Sequence, residues 1–420
     1  MSDIQVQAHV RRLQRQRDPK VCHCPQRPGL VTAPPAPRLM PKSPLGVSIW
    51  TAVLLDQYLY GRPTTRLCQA LQHQGVPLSP GTVTEGLRKI APLCEPLVPA
   101  LRERQRGEKL FHGDETRWAV FAAIAGQVGH RWDRWVTRSP SVVFSHIAPS
   151  RGAVVPKTHV AKLRKALVAV VLVCDRDSAY TALAKEHAER LLAYCWAHGR
   201  RELLNAARSW PDLAPWMWQW IEDIRTLYRL HTARLAVWEA PMPLDKQAPA
   251  FVARQQDLTT HLGERQDRCA MDRRARHLHE AKRPSLESLH HHWEGLPVFG
   301  GRPEVAMDNN AAERALRTPV VGRKHYYGSG SIWRAPLAAM MLSVLQTLLV
   351  WGLHPRPWLS AFFDACAAQG GKTPPDLCAF LPGQMTDERT HQRTQALPGP
   401  RPPWDSLPAE RDTPVVANTS

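Results

Sequence analysis

The sequence predicts an α/β fold, and two observations carry that expectation. Three strand-like segments follow one another after residue 109, and a continuous apolar run, ALVAVVLVCD at 166–175, then alternates with helical segments. Helical regions are expected before this sheet and inserted late within it.

The elements follow in order. Residues 1–45 are basic and proline-rich, and APPAPRLMPKSP reads as an extended linker that cannot pack as a helix. Cys22 and Cys24 within it are half of a structural zinc set. Their single intervening residue departs from the usual spacing of such sites, so zinc is not expected there. Residues 46–105 are helical in pattern. TTRLCQALQHQGVPLSPGTVTEGLRKI has the rhythm of a helix, a short turn and a second helix beginning after Ser79. It suits a helix-turn-helix in a DNA groove as well as an ordinary helical hairpin, with Arg88 and Lys89 as the evident phosphate contacts.

KLFHGDETRWAVFAAIA, HRWDRWVTRS and SVVFSHIA then read as a β-meander. A basic stretch at 151–166, expected to hold a helix, leads to the apolar run, which reads as a fully buried strand. SAYTALAKEHAERL reads as a helix, LLAYCWAH as a strand and GRRELLNAARSW as a helix. Residues 202 to about 295 are mostly helical and rich in Arg, His and Trp, as an inserted subdomain would be. Helical pattern returns through 335–368, and the tail from 384 to 420 has a disordered composition.

The chain carries 55 Lys+Arg against 37 Asp+Glu, a formal charge of +18, which favours a polyanionic partner over a basic surface with none. Nine cysteines without a regular framework argue for a reducing cytosol rather than a disulfide scaffold. The N-terminus lacks the apolar stretch of a signal peptide. AAMMLSVLQTLLVWGL at 338–353 is too short and too interrupted to span a bilayer, so it is expected to be a core helix.

The acids point to chemistry. Asp114 lies within the first strand of the meander, and Asp175 ends the buried strand, where functional groups collect in open sheets. If those strands are neighbours, the two carboxylates meet at the sheet centre. A third acid from a later helix would complete a cage for two divalent ions, the arrangement that stabilises entering and leaving oxygens in phosphoryl transfer. Oxygen ligands select Mg²⁺ or Mn²⁺ over zinc. Structural roles compete: Asp114 as a turn acid, Asp175 as a helix cap, and Asn310-x-x-Glu313 as a capping box.

HGDETRW, VCDRDSAY, YCWAHGRRELL and MDNNAAERALRTPVVGRKHYYGSGS, in that order, resemble the transposase family of insertion sequence 66 across about residues 20–370. The resemblance implies a ribonuclease H-like, integrase-like catalytic domain at 106–370 with a helical insertion at about 202–300. It implies a DDE triad of Asp114, Asp175 and Glu313 holding two Mg²⁺ or Mn²⁺ ions. The implied reaction is cleavage by activated water at the element end, followed by attack of the freed 3′-hydroxyl on target DNA. His198, Arg200, Arg201, Arg314, Arg317, Arg323 and Lys324 would position phosphates. The partners implied are double-stranded DNA at terminal inverted repeats and target sites, further copies of the chain, and accessory proteins of the element, in the nucleoid of a bacterial cytoplasm.

The sequence also departs from the family. Only Cys22 and Cys24 remain of an N-terminal zinc-binding set, His325 stands where Asn is commoner, and Asp177 where Tyr is commoner. Asp177, two residues past Asp175, is an alternative ligand. Cys195 is read as a core thiol beside the active-site or buried His198, and the histidines at 290–292 as a helix end. Two other functions compete: a truncated, catalytically inactive DNA-binding derivative, and a general metal-dependent nuclease.

Overall fold

A six-stranded sheet organises the chain, with one helical layer on each face. The computed structural model describes residues 9, 10, 14, 16–19, 30–33, 35–121, 131–149, 170–185 and 190–381. Cys22 and Cys24, the basic stretch at 151–166 and the tail from 384 lie outside the described residues.

A short antiparallel pair, β1 (Arg17–Pro19) and β2 (Leu30–Thr32), precedes four helices. These are α1 (Val47–Tyr58), α2 (Thr64–His73), α3 (Pro80–Cys94) and α4 (Leu97–Arg106). The helix, turn and helix expected around Ser79 are α2 and α3. The Ser79 hydroxyl accepts the Thr82 amide, and Pro80 opens the helix where its missing N–H is harmless. Val83, Leu87 and Ile90 of α3 are fully buried, whereas Arg88 and Lys89 are exposed beside Glu85. Arg88 also lies over the Trp333 ring.

The meander forms as expected: β3 (Leu110–Val120), β4 (Arg131–Arg138) and β5 (Val143–Ala148) are antiparallel. β6 (Val170–Cys174) and β7 (Arg190–Tyr194) run parallel to β3 on its other side, giving the order β5-β4-β3-β6-β7. A two-residue β8 (Gly328–Ser329) extends the far end of β3.

Strand alternation divides the interior. Trp118 and Val120 pack in one core with the N-terminal helices and two late helices. Phe111 packs in another with β6, β7 and the helices that follow them. Those helices are α5 (Ser178–Lys185), α6 (Trp196–Ser209), α7 (Ala214–Leu235), α8 (Pro249–Arg273), α9 (Arg283–His291) and α10 (Val298–Gly301). The remaining elements are α11 (Asn310–Tyr326), α12 (Arg334–Val350) and α13 (Pro355–Ala368).

Two boundaries differ from expectation. LLAYCWAH is not one strand: pairing with β6 stops at Tyr194, Cys195 becomes the N-cap, and Trp196 begins α6. The apolar run continued because Trp196 is buried, its indole donating to the Leu296 carbonyl. The helix expected from 199 therefore starts at 196, and the inserted helices run to 301. Their end is tied back by Arg234 of α7, a fully buried guanidinium donating to the carbonyls of Phe299 and Gly300.

The expected core helix is α12, buried along most of its length. Its hydroxyls also cover β5: Ser343 accepts the Ser145 amide, and Thr347 accepts that of Val143. This occupies a strand edge that would otherwise invite another chain. Among the described residues no helix is long and apolar enough to cross a membrane. Gly61 docks the N-terminal helices on α11. Its φ is +67°, and a Cβ there would lie 2.8 Å from the Gly322 Cα.

Candidate active site

Register brings the first two acids together. His112 on β3 pairs with Val173 on β6 in parallel, so Asp114 and Asp175, each two residues further on, stand level on adjacent strands about 4.8 Å apart. Asp114 is thus a mid-strand residue, not a turn acid. Its carboxylate oxygen, one from Asp175 and one from Glu115 all lie within 4.8 Å of one another. Burial, and then the charges of Glu115, Asp175 and Glu313, push the Asp114 carboxyl up to about 8.

Asp175 and Asp177 divide two roles that the sequence left open. One oxygen of Asp175 accepts the Asp177 amide, and Asp177 accepts that of Ala179 in the first turn of α5. Asp177 therefore caps the helix, while Asp175 faces Asp114.

Glu313 stands on α11, near enough for its charge to act on Asp114 but grouped with Cys195 and His198 rather than with the Asp114 cluster, and Asn309 sets where that helix begins. The competing capping box of Asn310 and Glu313 does not form: Asn309 is the N-cap, one residue earlier than Asn310, and its side chain leaves its own helix. Its Nδ2 donates to the Gly113 carbonyl at 2.7 Å, and its Oδ1 faces His112 Nδ1 at 3.3 Å. Burial holds His112 down at about 4, so the ring is neutral at pH 7. Because Oδ1 can only accept, Nδ1 carries the ring proton. Asn309 is wholly buried, and its amide donates to Cys195 Sγ. The first turn of the Glu313 helix is thereby fastened beside Asp114, helped by Arg138 of β4 donating to the Ala311 carbonyl.

Several contributors were not foreseen from sequence. Glu115 accepts from the Tyr180 hydroxyl of α5 at 3.3 Å. Asp308 accepts from Tyr228 of α7, which links the inserted helices to the start of α11. Adjacent acids on a strand ordinarily point to opposite faces, so Glu115 gave no sequence signal. The DN pair before Glu313 was the one available sign of Asp308 and Asn309.

The cationic residues spread unequally. His198 Nε2 lies 3.7 Å from Glu313 Oε1, and the Cys195 sulfur is close to both. Arg200, Arg201 and Arg314 are exposed near the starts of α6 and α11, and Arg317 is exposed at the middle of α11. Arg323 instead donates to Thr116 Oγ1 and the Arg117 carbonyl, so its guanidinium also braces β3. Lys324 is exposed toward the far end of α11. His325, likewise exposed, lies with Nδ1 3.3 Å from the Gly61 carbonyl. Arg88 and Lys89 lie on α3, in the N-terminal region.

Sheet, helices and acids together define a mixed α/β protein with a carboxylate centre where the carboxyl end of β6 meets the middle of the parallel strand β3. The chain belongs to the transposase IS66 family, whose model matches residues 42–336. The uncharacterized protein y4hP of Sinorhizobium fredii is 24% identical over 357 residues, covering 79% of this chain and 61% of that protein. Protein y4qI of the same organism is 26% identical over 332 residues, 73% of this chain and 57% of that protein. The chain thus spans about three-fifths of the length of these curated relatives. Among solved structures, the Mos1 transposase paired-end complex with left transposon end is 14% identical, covering 63% of this chain and 81% of that one. Its TM-score is 0.15, too low to bear on the fold.

Proposed function

We propose that this chain is a DNA transposase that cleaves and joins strands at insertion-sequence ends through Asp114, Asp175 and Glu313. The observation that carries the reading is the level placement of Asp114 and Asp175, with the Glu313 charge reaching Asp114 from α11. A ribonuclease H-like core is supported by the sheet: three antiparallel strands, then two parallel to the first on its other side.

The residues present fit a pair of Mg²⁺ or Mn²⁺ ions. Burial, and then the neighbouring carboxylates, push Asp114 up to about 8, and the clustered charges repel one another until cations enter. Asp114, Asp175 and Glu313 would hold the ions, which when bound supply an activated water and neutralise charge on the leaving oxygen. Asp114 and Asp175, fixed on strands, set the position of the reacting phosphate. Glu313, on a helix pinned by Asn309, is placed to accept the proton of the attacking hydroxyl. His198, Arg200, Arg201, Arg314 and Arg317 surround this end and would hold the DNA backbone, with Arg323 and Lys324 further along α11. In this reading the residues 46–105 contact DNA through Arg88 and Lys89, and residues 106–370 form the catalytic domain. The partners are inverted-repeat and target DNA, further copies of the chain and accessory proteins of the element, in a bacterial cytoplasm.

The test is cleavage of a labelled duplex carrying the flanking inverted repeat, with Mn²⁺, by this chain and its Glu313→Gln variant. Nicking at the repeat boundary that the variant lacks is expected. Equal nicking of scrambled DNA would instead indicate a general nuclease. A second reading, a catalytically inactive DNA-binding derivative, is favoured by Glu313 grouping with the Cys195 and His198 donors rather than with Asp114, Glu115 and Asp175. It predicts binding to the repeat without nicking.

A further inference from the structure

The start of α6 and the first turn of α11 bring together a second donor set, of which the carboxylate reading uses only Glu313 as a metal ligand. Cys195, the N-cap of α6, His198 one turn later, and Glu313 offer a sulfur, an imidazole nitrogen and a carboxylate oxygen within 4.8 Å of one another. The 3.7 Å between His198 Nε2 and Glu313 Oε1 is beyond hydrogen-bond reach. That oxygen is enclosed without a hydrogen-bond partner among the described residues. Enclosed polar atoms normally find partners, so this gap calls for an occupant. Two bonds of ~2.0 Å meeting at a tetrahedral angle put their donor atoms about 3.3 Å apart, within a few tenths of an ångström of the observed separation.

We propose that Cys195, His198 and Glu313 form a transition-metal site that takes Zn²⁺, with its fourth position open to water. A thiolate and an imidazole beside one carboxylate select Zn²⁺ over Mg²⁺, the opposite preference to the all-oxygen set at Asp114 and Asp175. The Asn309 amide donates to the sulfur at 3.2 Å and the sulfur caps the positive end of a 14-residue helix, both of which favour a thiolate. Burial, by contrast, pushes the free thiol up to about 11, so the bound cation is what would draw off its proton. On binding, the thiol proton passes to solvent and the sulfur–metal bond forms, with no change of oxidation state.

In the proposed triad Glu313 would serve both donor sets, and its Oε1 faces His198 and Cys195. Zn²⁺ held by Cys195 and His198 would therefore keep the third acid away from Asp114 and Asp175, making the site inhibitory. That consequence rests on the proposed triad; the binding of the ion does not.

The experiment is titration of the metal-free full chain with Co²⁺, followed by its absorption spectrum without DNA, and then competition with Zn²⁺ and Mg²⁺. One equivalent should give a sulfur-to-cobalt charge-transfer band that Zn²⁺ displaces and Mg²⁺ does not. Cys195→Ser should remove the band. His198→Ala and Glu313→Gln, which keep every cysteine, should each weaken Co²⁺ binding by at least about tenfold, whereas Asp114→Asn should leave it unchanged. No band in the natural chain, a band that survives Cys195→Ser, or full affinity in both His198→Ala and Glu313→Gln would overturn the proposal. The His198 and Glu313 variants decide the matter even if Cys195→Ser fails to fold. Because the spectrum is read without DNA, its failure leaves the triad standing, and failure of DNA cleavage leaves this site standing.

Discussion

Replacing Asn309 with alanine should loosen the helix that carries Glu313. The substitution removes the 2.7 Å bond to the Gly113 carbonyl and the 3.3 Å contact with His112, both wholly enclosed. A buried group deprived of its partner loses about 1–3 kcal/mol, and the longer contact belongs at the low end. The sum is about 2–4 kcal/mol of stability. Asn309→Asp keeps the shape but sets a carboxylate oxygen against the Gly113 carbonyl, so it should destabilise at least as much. Urea unfolding followed by tryptophan fluorescence reads the stability. Cleavage rates measured well below the midpoint read the placement of Glu313, where a displacement of about 1 Å can lower the rate about a hundredfold. An Asn309→Ala protein that loses less than about 0.5 kcal/mol and cleaves at full rate would refute the pinning argument.

Other outcomes follow from the same geometry. Asp114 is held at about 8 in the fold against an ordinary 3.8, so the folded chain keeps a proton that the unfolded chain releases between those values. Its contribution to stability is fully present below about pH 4 and is lost as pH rises through about 8, with a slope of at most about 1.4 kcal/mol per pH unit. Metal-free unfolding across that range should show the decline, and Asp114→Asn should remove this component. Asp177→Ala should lower the unfolding free energy by about 1 kcal/mol, the worth of a helix cap, while DNA cleavage persists, whereas Asp175→Asn should abolish cleavage; the reverse pattern would exchange their roles. Gly61→Ala forces a side chain into a left-handed conformation 2.8 Å from the Gly322 Cα, and should cost about 1–3 kcal/mol in the same unfolding assay.

The sheet was legible because its strands differ in exposure. β3, β4 and β5 mix polar with apolar residues, whereas β6, covered on both faces, reads as a run of valine and leucine. Asp175 stood out because an acid ending such a run is unusual, and its meeting with Asp114 followed once β3 and β6 were taken as neighbours. The details that place Glu313 were not legible. Asn309 looked like a residue before a capping box because its true partner, Gly113, lies 196 positions away. Glu115 could not be told from a solvated strand acid without Tyr180 across from it. LLAYCWAH read as one strand because burial continues past Tyr194, although the hydrogen-bonded ladder stops there.

The most direct test of the central claim is cleavage of an inverted-repeat duplex bearing one phosphorothioate at the scissile position, assayed in Mg²⁺ and in Mn²⁺. If ions held by Asp114, Asp175 and Glu313 contact the reacting phosphate, sulfur should depress cleavage in Mg²⁺, the more thiophilic Mn²⁺ should restore it, and Asp175→Asn should be inactive in both. Equal cleavage of the sulfur and oxygen substrates in Mg²⁺, or activity retained by Asp175→Asn, would contradict the account.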